Sequence, residues 1–150
     1  MGDPTIRRAQ PFDAGAMAAL LQAIIDKGGT TALRGPVMGA DLRDWMAQTD
    51  TIWHVAELDG DILGFQWIGP NSALPPQACD IATFVDLDRH GLGIGTRLFD
   101  ASRKAAKAAG FAWINATIRK ENTGGLSYYQ SRGFEPYGQD AEREHRRYLL

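Results

Sequence analysis

Cysteine is nearly absent from this chain of 150 residues. Cys79 stands alone, so neither an internal disulfide nor a cysteine-rich metal site can form. Histidine is almost as scarce. His54, His90 and His145 lie far apart without ligand spacing, read as ordinary histidines, and give no reason to expect a metal. No charge of one sign dominates either. The 16 Lys and Arg against 18 Asp and Glu leave a formal charge of −2, which exerts no bulk pull toward nucleic acid. Arg143, Arg146 and Arg147 are diluted by Glu142 and Glu144 and read as a solvated face. No apolar run approaches the ~18 residues of a membrane span, and the N-terminus has no apolar signal-peptide core. A cytoplasmic protein with neither nucleic-acid nor membrane partners is the expectation. Repeats, low-complexity tracts and linkers are missing too. With 44% hydrophobic residues, a chain of this length can bury one core, so residues 1–150 read as a single domain.

Glycine is the residue the chain does spend, and it concentrates it. Asp88 to Phe99 reads DRHGLGIGTRLF, with glycines at Gly91, Gly93 and Gly95. A strand pattern ends just before this stretch and a helical pattern leaves it. Closely spaced glycines strip side chains from a turn, so that several backbone N–H groups can converge. The following helix adds its unpaired N-terminal donors and the positive end of its dipole. Such a place suits a diphosphate. Two common glycine loops fail on spacing. A P-loop needs Gly-Lys followed by Ser or Thr, and the dinucleotide fingerprint GxGxxG would need glycine at Thr96 or Leu98. What remains is GxGxG followed by Thr96.

The rest of the chain reads as alternating elements. Thr5 to Ala9 is a short strand. Asp13 caps a helix to about Asp26, whose Met17, Leu20, Leu21, Ile24 and Ile25 form one apolar stripe. Thr30 to Gly39 is a loop, and Asp41 to Gln48 a second helix. Thr51 to Leu58 and Asp61 to Ile68 form a hairpin across an Asp59-Gly60 type I′ turn. Pro70, Pro75 and Pro76 make Gly69 to Gln77 a loop. Ala78 to Val85 is the fourth strand, Thr96 to Ala109 a helix, Phe111 to Ile118 a strand and Thr123 to Arg132 a helix. Tyr137 onward forms a last strand, with Arg146 to Leu150 as a further edge candidate. The order predicts an α/β (α+β) fold: a mixed sheet with helices on both faces.

This order resembles the GNAT superfamily of N-acetyltransferases, which use acetyl-coenzyme A. The family's central motif is V-x-P-x-x-Q/R-G-x-G-I/V-G. Val85, Gly91, Gly93, Ile94 and Gly95 match it. Leu87 replaces the proline, and His90 stands in place of Gln or Arg, with Arg89 beside it as an alternative cation. A second family motif, N-x-x-A-x-x-x-Y-x-x-x-G-F, is matched in spacing by Asn122, Gly125, Tyr129, Gly133 and Phe134, with glycine replacing alanine. The resemblance covers roughly residues 5 to 138, and its general layout is most similar to the amino-acid and phosphinothricin-type branch.

The resemblance implies a mostly antiparallel sheet whose fourth and fifth strands splay apart, with the pantetheine arm of acetyl-coenzyme A laid against the fourth. The cofactor contacts it implies are backbone at Phe84 and Val85, the loop His90, Gly91, Leu92, Gly93, Ile94, Gly95 and Thr96, and Asn122. Asn122 can equally cap its own helix. Tyr129 is implied as the general acid for the departing thiolate, with Tyr128 the alternative if the register slips by one. Asp80, on the same strand face as Ala82 and Phe84, is the first candidate for the base. Glu57 is the second, and bulk water without a dedicated base is the alternative. The acceptor pocket is expected between the Thr30–Gly39 loop, the third strand and the Gly69–Gln77 loop, with Arg34 available for a carboxylate. Only one of Gln66 and Trp67 can face it. Trp45, Trp53 and Trp113 read as core or sheet-face residues. The implied acceptor is a small primary amine, an amino acid or its analogue. A protein N-terminus or lysine, or a non-catalytic coenzyme A sensor, are the alternatives, and a homodimer is left open.

Overall fold

A computed structural model describes residues 2–31, 33–89 and 92–150. Strand β1 (Thr5–Arg8) leads through a short 3-10 turn at Pro11–Asp13 into helix α1 (Ala14–Lys27) and then helix α2 (Gly39–Met46). A meander follows: β2 (Ile52–Leu58), β3 (Asp61–Gly69) and β4 (Ala78–Val85). Helix α3 (Ile94–Ala108) crosses to β5 (Trp113–Arg119), and helix α4 (Thr123–Ser131) precedes the hairpin of β6 (Glu135–Gln139) and β7 (Arg143–Leu149). The seven strands form one sheet in the order β1-β2-β3-β4-β5-β7-β6. Only β4 and β5 run parallel, as expected for the pair joined by a helical crossover.

Period-two alternation explains why helices cover both faces. On β2, Trp53 and Val55 join Met17, Leu21 and Ile24 of α1 in one core cluster. Ala56 points the other way and packs with Ile94 and Leu98 of α3. On β4, Cys79 and Ile81 pack with Phe99 and Tyr129, whereas Phe84 packs on the α1 side. Even-numbered side chains of β4 therefore face α1, and odd-numbered ones face α3 and α4. The type I′ turn is present, with φ of 52° at Asp59 and 86° at Gly60.

Three local expectations need correction. Asp13 does not cap α1. Its buried carboxylate accepts both arms of the Arg7 guanidinium at 2.9 Å and the Gln10 N–H at 2.7 Å. Helix α3 starts two residues early, because Gly93 takes the left-handed cap position (φ 66°) and Ile94 is already buried. The chain's last strand is not an edge. β7 lies between β5 and β6, and the edge is β6, where Pro136 sits beside a register shift.

His54 is buried on the α3 side of β2, with 8% exposure and no partner for Nδ1. Burial, and then the charge of Arg8, pushes its pKa down to about 4. An unfolded histidine titrates near ~6.5, so the unfolded chain binds the extra proton first as pH falls. The contribution to stability is therefore complete above pH ~6.5 and drains away toward pH ~4. The melting temperature should fall across that window, and His54→Gln should flatten the fall. An unchanged slope in that variant would remove His54 as its source.

Candidate active site

Strands β4 and β5 pair over three residues only, Ala78–Asp80 against Trp113–Asn115. Beyond Asp80 and Asn115 they part. The expected splay is present, and it opens a cavity of about 880 Å³ through the sheet. The walls are Ile81 to Leu87 of the β4 side, Thr117 to Arg119 of β5, and residues from α1, α2, α3 and α4. The N–H of Asp86 donates to the Leu63 carbonyl of β3. By strand alternation the peptide groups of Phe84 also turn toward β3, and those of Thr83 and Val85 toward the gap. Val85 thus presents its backbone to the gap, while Phe84 contributes its side chain to the cavity wall.

At one end of the gap lies the N-terminus of α3. Of the glycine turn, His90 and Gly91 lie outside the described residues. Leu92 is exposed, Gly93 is left-handed, and Ile94 anchors the first helical turn in the core. Gly95 lies against the ring of Tyr128, where an added Cβ would stand 2.7 Å from Cε1. The Thr96 hydroxyl accepts from the Arg132 guanidinium, which also lies 5.8 Å from the Tyr128 ring centre. Among the described residues Arg132 has no carboxylate partner. A cation held beside the positive end of a helix, on a neutral hydroxyl and a ring, is arranged for an anion. Arg89, by contrast, is exposed and 3.8 Å from Asp61.

Inside the gap a polar network links two strands and two helices. Gln66 Nε2 donates to Thr83 Oγ1 at 2.8 Å and to the Tyr128 hydroxyl at 3.2 Å. Tyr128 donates to the Gly95 carbonyl at 2.7 Å. Thr83 Oγ1 and the Tyr129 hydroxyl are 2.8 Å apart. Both tyrosines line the cavity. Burial pushes the Tyr128 phenol up to about 12, and pushes the fully enclosed Tyr129 phenol higher still.

The two candidate bases sit differently. Asp80 stands at the last paired rung, where the strands part, one residue before Ile81, the first residue of β4 on the cavity wall, and is not itself part of that wall. Its carboxylate accepts from Asn115 at 2.9 Å and from Asn71 at 3.2 Å. Glu57 is ion-paired with Arg7 at 3.0 Å on β2, away from the cavity walls. Asn122 caps α4, accepting from the Gly125 N–H at 2.9 Å, and lines the cavity at the same time. Arg34 is exposed and donates to the Thr31 and Leu33 carbonyls of its own loop, outside the cavity.

The model of the family described as "Acetyltransferase (GNAT) family" matches residues 18–134. The chain belongs to this family. As a GNAT acetyltransferase it is an enzyme of acetyl transfer, and its fold is shared by solved structures of low sequence identity. The ribosomal-protein-alanine N-acetyltransferase from Brucella melitensis superposes with a TM-score of 0.88 at 20% identity, over 97% of this chain and 99% of that one. The phosphinothricin acetyltransferase from Sinorhizobium meliloti, solved in complex with AcCoA, gives 0.87 at 17% identity, over 99% and 89%. An N-acetyltransferase from Staphylococcus aureus Mu50 gives 0.85 at 22% identity, over 99% and 98%.

Several residues of this acetyltransferase's site escaped sequence reasoning. Trp45 and Trp53 line the cavity instead of serving the core or sheet face alone, whereas Trp113 packs against Tyr137 and Arg147 on the outer strands. Of the Gln66 and Trp67 pair, Trp67 faces the cavity and Gln66 bonds Tyr128 and Thr83 on the other side. The Thr30–Gly39 loop contributes Thr30, Thr31 and Leu33, but the Gly69–Gln77 loop lines none of it. Arg132 carried one legible signal: it follows the Asn-Tyr motif on α4, the helix that abuts α3.

Proposed function

We propose that this acetyltransferase moves an acetyl group from acetyl-coenzyme A to the primary amine of a small molecule by direct transfer. The observation that carries this reading is the parted β4/β5 pair, with a glycine-capped helix at one end of the gap and a buried tyrosine inside it. The residues present suit the donor. Backbone groups of Thr83 and Val85 turn into the gap as a strand edge for an amide-bearing arm. The α3 N-terminus, with Arg132, suits a diphosphate. Acetyl-coenzyme A supplies the activated acetyl carbon and a thiolate leaving group. The Val85 N–H is the donor for the thioester oxygen.

Hydrogen-bond accounting separates the two tyrosines. The Gly95 carbonyl can only accept, so Tyr128 must spend its proton there. Tyr128 oxygen can then only accept from Gln66, which fixes the amide orientation with Nε2 toward it. Thr83 Oγ1 accepts the second Gln66 hydrogen and keeps one lone pair and one proton, so across the 2.8 Å to the Tyr129 hydroxyl either oxygen can donate. The Tyr129 proton, unlike that of Tyr128, is not tied to a carbonyl, and with Thr83 donating to its oxygen it can serve the thiolate. Asp80 lies on the opposite face of β4 from Thr83, at the apex of the gap, and takes the amine proton through water. Acid and base thus flank the gap from opposite sides of the sheet.

Two measurements test this. Acetyl-coenzyme A at a hundredfold excess over its Kd should stabilise the protein by about 2.7 kcal/mol, a melting shift of roughly 5–10 °C. Pools of small amines should release free thiol, and peptides with free N-termini should release little. Release confined to peptides would shift the acceptor to a protein. Binding without release from any pool would leave a coenzyme A sensor.

A further inference from the structure

We infer that the acceptor is an amine carried on an aromatic ring body, seated on the α1/α2 side of the β4/β5 gap against Trp45, Trp67 and Phe84. This deepens the reading just given and rests on it.

One face of the sheet carries an unbroken run of rings. Phe84 of β4 lies 5.1 Å from Phe65 of β3, Phe65 is stacked at 6.0 Å on Trp53 of β2, and Trp53 is stacked at 5.3 Å on Trp67 of β3. These rings divide into two kinds. Phe65 (0% exposed) and Trp53 (5%) are a closed floor. Trp67 and Phe84 are half-buried, and so is Trp45, which comes from α2. All three line the cavity. A single half-open ring is ordinary on a protein. Three around one cavity leave apolar surface that a ligand can take from water at about 25 cal/mol per Å². Leu21 and Ile24 of α1, with Leu33, line the cavity too, so apolar side chains come from helix and loop as well as from the sheet.

The charges point the same way. Among the described residues the charged side chains on the cavity are Asp86, Arg119 and Arg143. Asp86 directly follows β4, two residues from Phe84, and its carboxylate accepts from the Asp88 N–H at 2.9 Å; the two arginines belong to β5 and β7, which carry none of the rings. Arg119 is committed to Glu121 and to the Thr31 carbonyl. Arg143 begins β7 and is exposed, 3.9 Å from Asp140. A polyamine or a hydroxylated amine would lose its hydration on the aromatic wall without replacement partners there, which costs free energy. A ring body loses none. Asp80 lies on the same sheet face as Phe84, at the apex of the gap, so a ring on this wall can direct its amine toward the proposed base.

The experiment compares phenethylamine and L-phenylalanine with ethanolamine, glycine and putrescine. Thiol release from acetyl-coenzyme A gives kcat/KM, and calorimetry without the donor gives binding. We expect kcat/KM for the better ring amine to exceed that of every polar amine at least tenfold. Trp67→Ala should shrink that ratio at least tenfold, and Trp67→Phe should keep most of it. Whichever of phenethylamine and phenylalanine is preferred tells whether a carboxylate is also recognised, and either supports the ring-binding site. Polar amines equal to or better than ring amines would overturn the inference and leave acetyl transfer intact. Thiol release from no amine would defeat the functional reading. In that case calorimetry still decides the site: ring-amine binding that Trp67→Ala does not weaken would overturn it.

Discussion

Tyr129→Phe is expected to lower kcat by about 10²-fold or more, the lower end of what a positioned general acid contributes, while acetyl-coenzyme A still binds with near wild-type affinity. The substitution deletes one oxygen and keeps the ring, which packs edge-on against Tyr128 and Phe134. Packing is therefore retained, and the lost proton donor dominates. Thr83 loses a partner but keeps its bond from Gln66. Burial holds the Tyr129 phenol above its ordinary value of ~10. The proton stays in place through the alkaline range, so no loss of kcat below pH ~10 should trace to this group. Tyr128→Phe is the control. Its proton is committed to the Gly95 carbonyl, so kcat should suffer less. Stopped-flow or steady-state thiol release measures both. If Tyr128→Phe proved the more damaging, the two roles would be exchanged. Wild-type turnover in Tyr129→Phe would take that residue out of the chemistry.

Gly95→Val is expected to weaken acetyl-coenzyme A binding at least a hundredfold. A Cβ at this position meets Tyr128 Cε1 at 2.7 Å and Cζ at 3.3 Å, and valine adds two methyl groups beyond it. The ring cannot easily retreat, because its hydroxyl is held by the Gly95 carbonyl and by Gln66. Either α3 or α4 must move, and with it the α3 amides proposed to hold the diphosphate. Overpacking of this kind costs roughly 1–3 kcal/mol of stability, which circular dichroism and the melting temperature will register. Gly93→Ala supplies a second reading should Gly95→Val fail to fold. There the space is open, but φ is +66°, so alanine brings backbone strain of about 1 kcal/mol without a clash. It should fold and bind more weakly than wild type. Calorimetric affinity equal to wild type in both variants would refute the placement of the diphosphate at this turn.

The parts of this protein that rest on local rules were readable. The apolar stripe of α1 follows from a 3.6-residue period, and the β2–β3 hairpin from Asp59-Gly60. The glycine turn and the Asn122–Tyr129–Phe134 spacing pointed to the right family because each is a short-range constraint on backbone and helix face. Sequence favoured Tyr129 over Tyr128 from motif spacing alone, with no physical reason to separate their hydroxyls. The choice depends on the Gly95 carbonyl, 33 positions away. The tryptophans show the limit most clearly. Alternation says which sheet face a ring occupies, and Trp53 and Trp67 do share one. It does not say whether a helix closes over that face or a cavity opens there. Arg146–Leu150 was similarly misplaced, since REHRRYL has no clean alternation and strand neighbours are not written in a strand's own residues.

What the chain's order of residues determined alone was the kind of element at each stretch, the place of the glycine turn before α3, and the family. These depend on interactions between residues a few positions apart. The tertiary structure decided where β4 and β5 part, which tyrosine commits its proton to a backbone carbonyl, and how rings from β2, β3, β4 and α2 meet at one cavity. Those outcomes depend on groups far apart in sequence, which come within hydrogen-bonding or packing distance only when the sheet and both helical layers have closed on each other.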